Sequence, residues 1–262
     1  MRFTRYLIAL IAAPCMAVLA SAEQLVVGAN IGNVPWEFAN QRGEFVGFEI
    51  DLITEAAGRL GHSVDVVNIP FNGLFSAVQS GRIDVALSSV TITEKRLGSV
   101  SFAQPYYDSA QSLTVPASSD VTGLEDLRGA LIGVDTGSTG DMWTMANAAR
   151  YGFGEIRRYE GLAPAMLDLQ TRRIDAYISD IPSLLYFAKN KPQFKVIERI
   201  ETGERYSMMF ARESRWVEPI NAMISTLKKE GFVAELHERW FGEVPATDSS
   251  TVQVAERPGA TR

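Results

Sequence analysis

The chain of 262 residues has one cysteine, two histidines and no run of lysine and arginine residues. A single Cys15 excludes an intramolecular disulfide and any site with several cysteine ligands. Acidic residues outnumber basic ones, 31 to 25, so the composition offers no electrostatic footprint for nucleic acid or an anionic lipid surface. The sequence also lacks a nucleophile elbow, metal-ligand spacing and a complete glycine-rich phosphate loop. We therefore predict no catalytic residues, no metal and no cofactor.

A long apolar run occurs only near the amino end. Two arginines precede an apolar stretch over 7–19, and residues 20–22 (ASA) form a small-residue cleavage site. This order is typical of a secretory signal peptide over 1–22. An uncleaved anchor is the alternative, but the stretch is shorter than the ~20 residues that a membrane span needs. Cleavage after Ala22 would remove Cys15 and leave 23 basic and 31 acidic residues, a net charge of −8.

Apolar runs and helical spacing alternate along the rest of the chain. The runs 25–30, 64–68 and 85–88 predict strands, and the spacing over 47–60 and 71–79 predicts helices between them. The alternation resumes after residue 121, with predicted strands at 131–134, 155–159 and 175–178 and helices at 141–150 and 163–170. An order of β-α-β-α-β is typical of a doubly wound sheet, so the sequence predicts an α/β fold with two such units.

One passage occurs twice, at 80–89 (SGRIDVALSS) and at 171–180 (TRRIDAYISD). In each, an Ile-Asp pair opens a short apolar run, and polar residues follow where the run stops. Ligands of open α/β sheets bind at the carboxyl ends of the strands, so the passages predict two lobes that face a shared cleft. The first passage leads to Thr91 and Arg96, and the second ends at Asp180. A cation from one lobe and an anion from the other are suited to clamp a zwitterion.

The order of elements predicts that one lobe interrupts the other. We predict a discontinuous first lobe over 23–109 and 206–242, and a second lobe over 110–205. Two crossover strands, near 109–115 and 204–211, would form a hinge. Residues 243–262 are rich in Ser, Thr, Pro and charges without periodicity, which predicts a disordered tail.

Five short segments carry the most specific signal. They are 46–52 (VGFEIDL), 88–96 (SSVTITEKR), 137–139 (GST), 175–182 (DAYISDIP) and 240–242 (WFG). With these segments in order, the chain from about residue 25 to 242 resembles the family 3 periplasmic solute-binding proteins, the amino-acid receptors of ABC importers. The resemblance implies two doubly wound α/β lobes on a two-strand hinge, the periplasmic binding protein-like fold of type II. It also implies a periplasmic monomer with an amino-acid ligand and an inner-membrane ABC permease as partner.

The first lobe and one loop of the second would bind the ligand carboxylate. Thr93 is placed to cap a helix whose first turn holds Arg96, and the positive end of that helix adds to the guanidinium charge. Ser89 and Thr91 would supply further hydrogen bonds. The resemblance implies that Arg96 and Thr139 contact the ligand α-carboxylate.

The resemblance assigns the other ligand groups as well. It implies that Asp180 binds the α-amino group and that Phe71 lies over the ligand. Asn30 and Asn33 stand where receptors for basic amino acids carry an acid and an aromatic residue, and Asp135 stands where the glutamine receptor has a lysine. Two amides and one acid favour a neutral polar or basic side chain and disfavour a second carboxylate.

Several of these residues have a purely structural alternative. The alternatives are Arg96 as a solvated arginine paired with Glu94 or Asp84, Asp180 as the N-cap of the helix that contains Pro182, and Phe71 or the weaker candidate Trp36 as core residues.

Two other functions are open on the same scaffold. The fold also resembles a periplasmic cyclohexadienyl (prephenate/arogenate) dehydratase, an enzyme that would need a general acid such as Glu160 or Asp135. A third hypothesis is a sensor domain separated from a kinase or a cell-wall lyase, although the sequence contains no such partner domain.

Overall fold

The structure is a computed structural model that describes residues 23–259, so the predicted signal peptide lies outside the described residues. Up to the first change of sheet the elements are β1 (Gln24–Ala29), β2 (Phe38–Ala39), β3 (Phe45–Val46), α1 (Phe48–Arg59), β4 (Ser63–Asn68), α2 (Phe71–Gln79), β5 (Val85–Leu87), α3 (Glu94–Leu97) and β6 (Ser101–Phe102). The next group is β7 (Tyr107–Pro116), a 3-10 turn (Leu124–Asp126), β8 (Leu131–Asp135), α4 (Thr139–Tyr151), β9 (Glu155–Tyr159), α5 (Leu162–Gln170), β10 (Ala176–Asp180), α6 (Ile181–Ala188) and β11 (Phe194–Tyr206). The chain ends with β12 (Met209–Phe210), α7 (Val217–Lys229), α8 (Phe232–Phe241) and the segment up to residue 259.

Two five-stranded sheets organise the molecule. Their strand orders are β4-β1-β5-β12-β6 and β9-β8-β10-β7-β11. Three strands of each sheet are parallel: Val27 pairs with Val66 and Val85 in the first, and Gly133 pairs with Arg157 and Tyr177 in the second. In the first sheet β12 pairs antiparallel with β5 and β6, and in the second β7 pairs antiparallel with β10 and β11. We call the first sheet with α1, α2, α3, α7 and α8 the first lobe, and the second sheet with α4, α5 and α6 the second lobe.

Apolar side chains cover both faces of each sheet. In the first lobe, Ile53 of α1 and Ile224 of α7 belong to one buried cluster, and Leu74 of α2 belongs to another. In the second lobe, Tyr151 of α4 and Leu169 of α5 likewise belong to separate clusters. Helices on both faces confirm the prediction of two doubly wound α/β lobes. Over residues 23–259, no helix has the length and apolar character needed to cross a membrane.

A glycine fixes the loop that leads into α1. Gly47 has a φ of 139°, and a Cβ placed there would lie 2.1 Å from the carbonyl oxygen of Trp36. Only glycine permits this approach and this backbone angle. The first N–H groups of α1 then donate to the loop, since Phe48 N bonds to Pro35 O at 2.9 Å and Glu49 N to Trp36 O at 3.1 Å. The loop is therefore held directly against the start of α1.

The chain changes sheets twice. Residues 103–106 join β6 to β7, and residues 207–208 return from β11 to β12. The two crossings lie side by side, because Tyr107 pairs with Tyr206. The first crossing lies earlier than the segment 109–115 indicated by the sequence, which forms the interior of β7. Two short crossings suit a hinge, while the lobe boundaries at 109/110 and 205/206 stay a prediction.

The segment 243–259 packs against the first lobe and the start of β7, which differs from the predicted disordered tail. Ser250 donates from N and Oγ to the Asp108 carboxylate at 2.6 and 2.5 Å. Thr251 Oγ1 donates to the Tyr106 carbonyl at 3.1 Å. These bonds tie the segment to the first crossing and to the start of β7.

Lys228 of α7 holds the same segment from the other side. The residue is 5% exposed, and its Nζ donates to the carbonyls of Pro105 and Gln253 at 2.6 and 2.9 Å. Such order comes from hydrogen bonds between residues far apart in the chain. A lack of local periodicity therefore gave the wrong expectation for these residues.

Candidate functional site

A cavity lies between the lobes at the carboxyl ends of β1, β5, β8 and β10, and about 510 Å³ there, open solvent included, is not occupied by protein atoms. All nine residues that the sequence indicated line it: Asn30, Asn33, Phe71, Ser89, Thr91, Arg96, Asp135, Thr139 and Asp180. The lining also includes Ser88, Ser138, Gly161, Leu162, Ser179 and Ser183. The structure brings the indicated residues together, while their contacts with a ligand stay a prediction.

Arg96 is the basic residue of this lining. Thr93 begins α3 as expected, because its Oγ1 accepts a hydrogen bond from Arg96 N at 3.2 Å. Arg96 is 5% exposed, and its guanidinium donates to the carbonyls of Thr91 at 2.7 Å and Gly137 at 3.4 Å. It is therefore a buried cation and not the solvated helix arginine of the structural alternative.

The surroundings of Arg96 combine aromatic rings with carboxylates. Phe71 and Phe75 face the guanidinium, with ring centres 5.5 and 5.1 Å from its central carbon. Burial lowers the pKa of Arg96 to about 10, although the carboxylates of Glu204 and Asp180 act in the opposite direction. The side chain thus stays a cation at neutral pH.

Asp180 occupies the N-cap position of α6, but its side chain makes no capping hydrogen bond. Its Oδ2 accepts from Ser89 Oγ of the first lobe at 3.0 Å, and its Oδ1 accepts from Gln111 Nε2 at 2.7 Å. Burial, followed by repulsion from Glu204, raises the pKa of Asp180 to about 7. The carboxylate therefore faces the cleft between the lobes, and it does not cap α6 as the structural alternative proposed.

Two buried residues that the sequence did not indicate lie behind Asp180. Gln111 belongs to β7, and Glu204 belongs to β11 beside Gly203, where the register with β7 shifts. Gln111 Nε2 lies 3.0 Å from both carboxylate oxygens of Glu204, and Thr91 Oγ1 donates to Oε2 at 3.1 Å. Two carboxylates thus share one amide group, which leaves an excess of negative charge that a nearby cation offsets.

Hydrogen bonds join the lobes across the cleft. Ser183 Oγ of α6 donates to Asn33 Oδ1 and accepts from Trp36 Nε1, both at 3.0 Å. The hydroxyl oxygens of Thr91 and Thr139 lie 3.3 Å apart. The lobes are therefore closed on each other. Trp36 is fully buried and does not belong to the lining, so this weaker aromatic candidate is a core residue that also contacts the second lobe.

Asp135 closes another part of the cavity. Its Oδ2 accepts from Tyr177 OH at 2.6 Å and from Ser179 Oγ at 3.0 Å. Burial raises the pKa of Asp135, and these two hydrogen bonds act against that shift. Asn30 reaches the same region, because a Cβ placed on Gly161 would lie 3.7 Å from Asn30 Nδ2. An acid and an amide from opposite lobes meet here.

The two residues of the enzyme hypothesis differ in their position relative to the cavity. Glu160 is exposed, accepts a 3.5 Å hydrogen bond from Asn72 and does not belong to the lining. Asp135 lines the cavity, and its Oδ2 is bound to two hydroxyl donors, whereas its Oδ1 is buried without a hydrogen-bond partner among the described residues. Among the residues that the structure describes, no group of His, Cys, Asp and Glu side chains is arranged to hold a metal ion.

Two α/β lobes, a hinge of two short crossings and a polar cavity between the lobes define a two-lobed solute-binding protein. Comparison with known proteins narrows this class: the family model of bacterial extracellular solute-binding proteins, family 3, matches residues 25–243. The chain belongs to this family. It is accordingly a binding protein and not an enzyme.

Individual relatives agree with this assignment. The arginine-binding extracellular protein ArtP of Bacillus subtilis is 27% identical over 222 residues, which cover 84% of this chain and 86% of ArtP. An ancestral arginine-binding protein bound to arginine is 32% identical, with a TM-score of 0.79 over 84% of this chain and 98% of its own. A substrate-binding protein of an ABC uptake transporter from Streptococcus pneumoniae, with bound histidine, is 27% identical, with a TM-score of 0.81 over 86% and 95%.

Proposed function

We propose that this protein captures an L-amino acid with a polar or basic side chain between its lobes and delivers it to an inner-membrane ABC permease. The observation that carries the proposal is the pair of opposite charges in one cavity, Arg96 from the first lobe and Asp180 from the second. A zwitterion offsets both charges, whereas a singly charged ligand would leave one of them unpaired in a desolvated site.

Arg96 would bind the α-carboxylate, because its planar guanidinium holds a carboxylate through two hydrogen bonds. Thr91 and Ser89 add hydroxyl groups from the first lobe. The second lobe contributes the start of α4, where Ser138 caps the helix and Thr139 is its first residue. The free N–H groups of a helix N-terminus attract negative charge.

Asp180 would bind the α-ammonium group. Its raised pKa shows how strongly the ligand-free carboxyl group prefers a proton in this position, and a ligand ammonium replaces that proton with a fixed positive charge. Glu204 lies behind the pair and strengthens the field that attracts the cation. Gln111 holds the two carboxylates in place through its amide.

The ligand side chain would lie against Asn30, Asn33 and Asp135, with Phe71 excluding water from one side. Amide groups and one acid suit N–H donors, so arginine, lysine, histidine and glutamine are the expected ligand types. Aspartate and glutamate are disfavoured, since a second carboxylate would meet Asp135. The relatives that are named for arginine and histidine support this choice.

The proposal includes the place of action. We expect residues 1–22 to be cleaved as a signal peptide, so that the mature protein is in the periplasm. We also expect it to act there as a monomer. Its partner there would be the inner-membrane permease, which accepts the ligand from the closed form.

A thermal-shift screen tests the proposal. Protein freed of ligand by unfolding and refolding is mixed with each of the twenty amino acids. A ligand at 1,000 times its dissociation constant stabilises by about 4 kcal/mol, which raises the melting temperature by roughly 8–16 °C for a protein of this size. We expect a shift with a basic or amide amino acid and none with aspartate or glutamate. No shift with any of the twenty would contradict the proposal.

Closure of the cleft is tested separately by small-angle scattering. The ligand contacts both lobes, so it favours the closed state by its differential contacts. Saturation with the bound amino acid should therefore reduce the radius of gyration. Identical scattering curves with and without ligand would contradict closure but would leave amino-acid binding intact.

A further inference from the structure

A pair of carboxyl groups lies behind the first-lobe wall of the cavity. Glu37 and Glu49 are both 0% exposed, and neither lines the cavity. Across residues 23–259, no basic side chain forms a salt bridge with either group. Two ionised carboxylates in such surroundings would repel each other without compensation, so the pair must hold a proton.

The hydrogen bonds around the pair differ between its two members. Glu49 accepts from Ser89 N with both oxygens, at 3.0 and 3.1 Å, and its Oε1 also accepts from Tyr106 OH. Glu37 Oε1 accepts from Ser88 Oγ at 2.6 Å and from an amide N–H. Glu37 Oε2 is buried and has no donor within the described part of the chain. Glu37 Oε2 is therefore the oxygen of the pair for which no hydrogen bond is accounted for.

We propose that Glu37 carries the proton on Oε2 and donates it to Glu49, and that this acid–carboxylate pair positions Asn33 and Ser89 at the ligand cavity. The consequence for ligand affinity rests on the proposed function, whereas the position of the proton does not. Burial and the neighbouring Glu49 raise the pKa of Glu37 well above its ordinary value. For Glu49, the donors Tyr106 and Ser89 oppose the upward shift that burial causes.

Ser89 depends on the pair for its backbone conformation. Its φ is 45°, in the left-handed region that non-glycine residues rarely adopt. The Glu49 carboxylate holds this conformation by accepting the Ser89 N–H. The hydroxyl of Ser89 is then placed to donate to Asp180 across the cleft.

Asn33 depends on the pair for the direction of its amide. Its Nδ2 donates to Glu37 Oε1 and to Ser89 Oγ, both at 3.1 Å. With both N–H groups used in this way, Oδ1 is left to accept from Ser183 of the second lobe. The pair therefore fixes the orientation of the Asn33 amide, so that its oxygen points to the opposite lobe.

Few titratable groups face the pair. Besides the two carboxyl groups on the loop before α1 and on α1, Tyr106 on the first crossing bonds to Glu49, and burial raises its pKa well above the ordinary value. Asp180 on β10 follows at one further hydrogen bond, through Ser89. Near pH 9, Asp180 is ionised. Burial also raises the pKa of Asp135, so a carboxylic acid that persists there is assigned to the pair by its loss in Glu37→Gln.

Matched substitutions test the position of the proton in ligand-free protein. Glu37→Gln places an N–H where the acid hydrogen is proposed, whereas Glu49→Gln removes half of the acceptor for Ser89 N. Glu155→Gln, on an exposed strand position, is the control. We expect Glu37→Gln to melt within about 2 °C of wild type and Glu49→Gln to melt lower by about 5 °C or more. A larger loss for Glu37→Gln than for Glu49→Gln would overturn the assignment.

Infrared spectroscopy provides a direct readout. The wild type and Glu155→Gln should show the C=O stretch of a protonated carboxyl group near pH 9, and Glu37→Gln should lose it. A band that survives in Glu37→Gln would place the proton on another group. A wild type without any band at this pH would exclude the proposed acid.

The positioning role is tested with and without ligand. Amide hydrogen exchange of ligand-free protein should be faster at Ser89 in Glu49→Gln, since half of the acceptor for its N–H is removed, and unchanged in Glu37→Gln. With L-arginine as probe, Glu49→Gln should bind about tenfold more weakly and Glu37→Gln within about threefold of wild type. Unchanged exchange of the Ser89 amide in Glu49→Gln would overturn the positioning role. If wild type binds no amino acid, the proposed function fails, and the ligand-free measurements still decide the proton and the positioning.

Discussion

The passages 80–89 and 171–180 build the same frame in the two lobes. Asp84 donates from its N to Val26 O at 2.8 Å and accepts from Val26 N with Oδ2 at 2.9 Å. Asp175 makes the same two bonds with Leu131, at 2.9 and 2.8 Å. In both lobes the aspartate thus fastens the third parallel strand to the first. Because Asp84 is engaged in this way, it is not the partner that the structural alternative gave to Arg96.

The isoleucines before these aspartates repeat the same packing. A Cβ placed on Gly28 would lie 2.4 Å from Ile83 Cδ1, and one placed on Gly133 would lie 2.5 Å from Ile174 Cδ1. Each isoleucine therefore occupies the space above a glycine in the first strand of its sheet. The repeat in the sequence is a repeat of this packing.

The lobes differ where the frame ends. After β5 the chain passes through Ser89 in a left-handed conformation and reaches Arg96 only on α3. After β10 it enters α6 at once, with Asp180 at the boundary. A common frame therefore carries a long loop with a cation in one lobe and a direct strand-to-helix junction with an anion in the other. The shared strands thus position the two sides of the cleft, and the residues that follow them, Arg96 and Asp180, carry the opposite charges.

The largest effect on binding is expected when the first-lobe cation is removed. Arg96→Ala leaves the ligand carboxylate buried without its charged partner and should weaken binding by about 2–5 kcal/mol. Lys95→Ala, which removes an exposed cation from the same helix, is the control and should leave affinity unchanged. Isothermal titration calorimetry measures both. Equal affinities for the two variants would remove Arg96 from the site.

Removal of the second-lobe anion is expected to have the next largest effect. Asp180→Asn deletes the charge that meets the α-ammonium group, so binding should weaken by about 2 kcal/mol or more. The ligand-free melting temperature should stay the same or rise, since no capping bond is lost and a desolvated acid is removed.

Asp175→Asn is the control for this variant, because it changes the same residue type in the same repeat at a position that only fastens strands. It should lower stability slightly and leave affinity intact. If Asp180→Asn lowered stability and kept affinity, the two aspartates would have the same structural role, and the clamp would lose its anion.

The sequence predicted the frame well because local patterns determine it. The helix α2 and the strand β9 have the predicted bounds, since apolar spacing and flanking breakers mark them. Helix α4 begins at Thr139, two residues before the predicted 141, because Ser138 caps it. The nine candidate residues, all of which line the cavity, were predicted by combining the ends of the parallel strands with the family resemblance.

The rest depends on contacts between distant residues. Strand β11 was not predicted, and with it Glu204 was missed, because that carboxylate reaches the cleft only through a register shift against β7. Gln111 was missed because it lies inside β7 and not at the end of a parallel strand. The order of residues 243–259 likewise comes from partners such as Asp108 and Lys228. No local pattern reports such pairings.

The pH dependence of ligand affinity tests the difference in charge between the lobes. An α-ammonium group needs ionised Asp180, and the pKa of Asp180 in the closed structure without ligand is raised to about 7. Affinity should therefore increase about tenfold from about pH 6 to pH 8, while Arg96 stays charged throughout. Calorimetry of wild type and Asp180→Asn checks this, because the variant should lose most of the dependence. An affinity that falls as pH rises through this range would contradict the proposed role.

The stability of ligand-free protein is expected to change with pH in the opposite direction from ligand affinity. A carboxyl group whose pKa is raised on folding favours the folded state when it is protonated. Ligand-free protein should thus lose stability as pH rises from about 4 to about 7, and saturating ligand should remove most of that loss. Thermal unfolding across this range, with and without ligand, measures the difference. A ligand-free protein that gained stability over the same interval would show that other groups dominate the titration.

The smallest effect on binding is expected from the segment 243–259, which packs outside the cavity. Truncation after residue 243, where the family match ends, removes the bonds of Ser250 to Asp108 and of Thr251 to the first crossing. It also removes the acceptor that Gln253 offers to Lys228. The melting temperature should fall by about 3–8 °C, which corresponds to one or two lost buried hydrogen bonds. Truncation after residue 257 keeps these bonds and is the control. Affinity should change less than about threefold, since no residue of the segment lines the cavity. A loss of affinity larger than the loss of stability would instead mean that the segment, through the first crossing, sets the angle at which the two lobes meet.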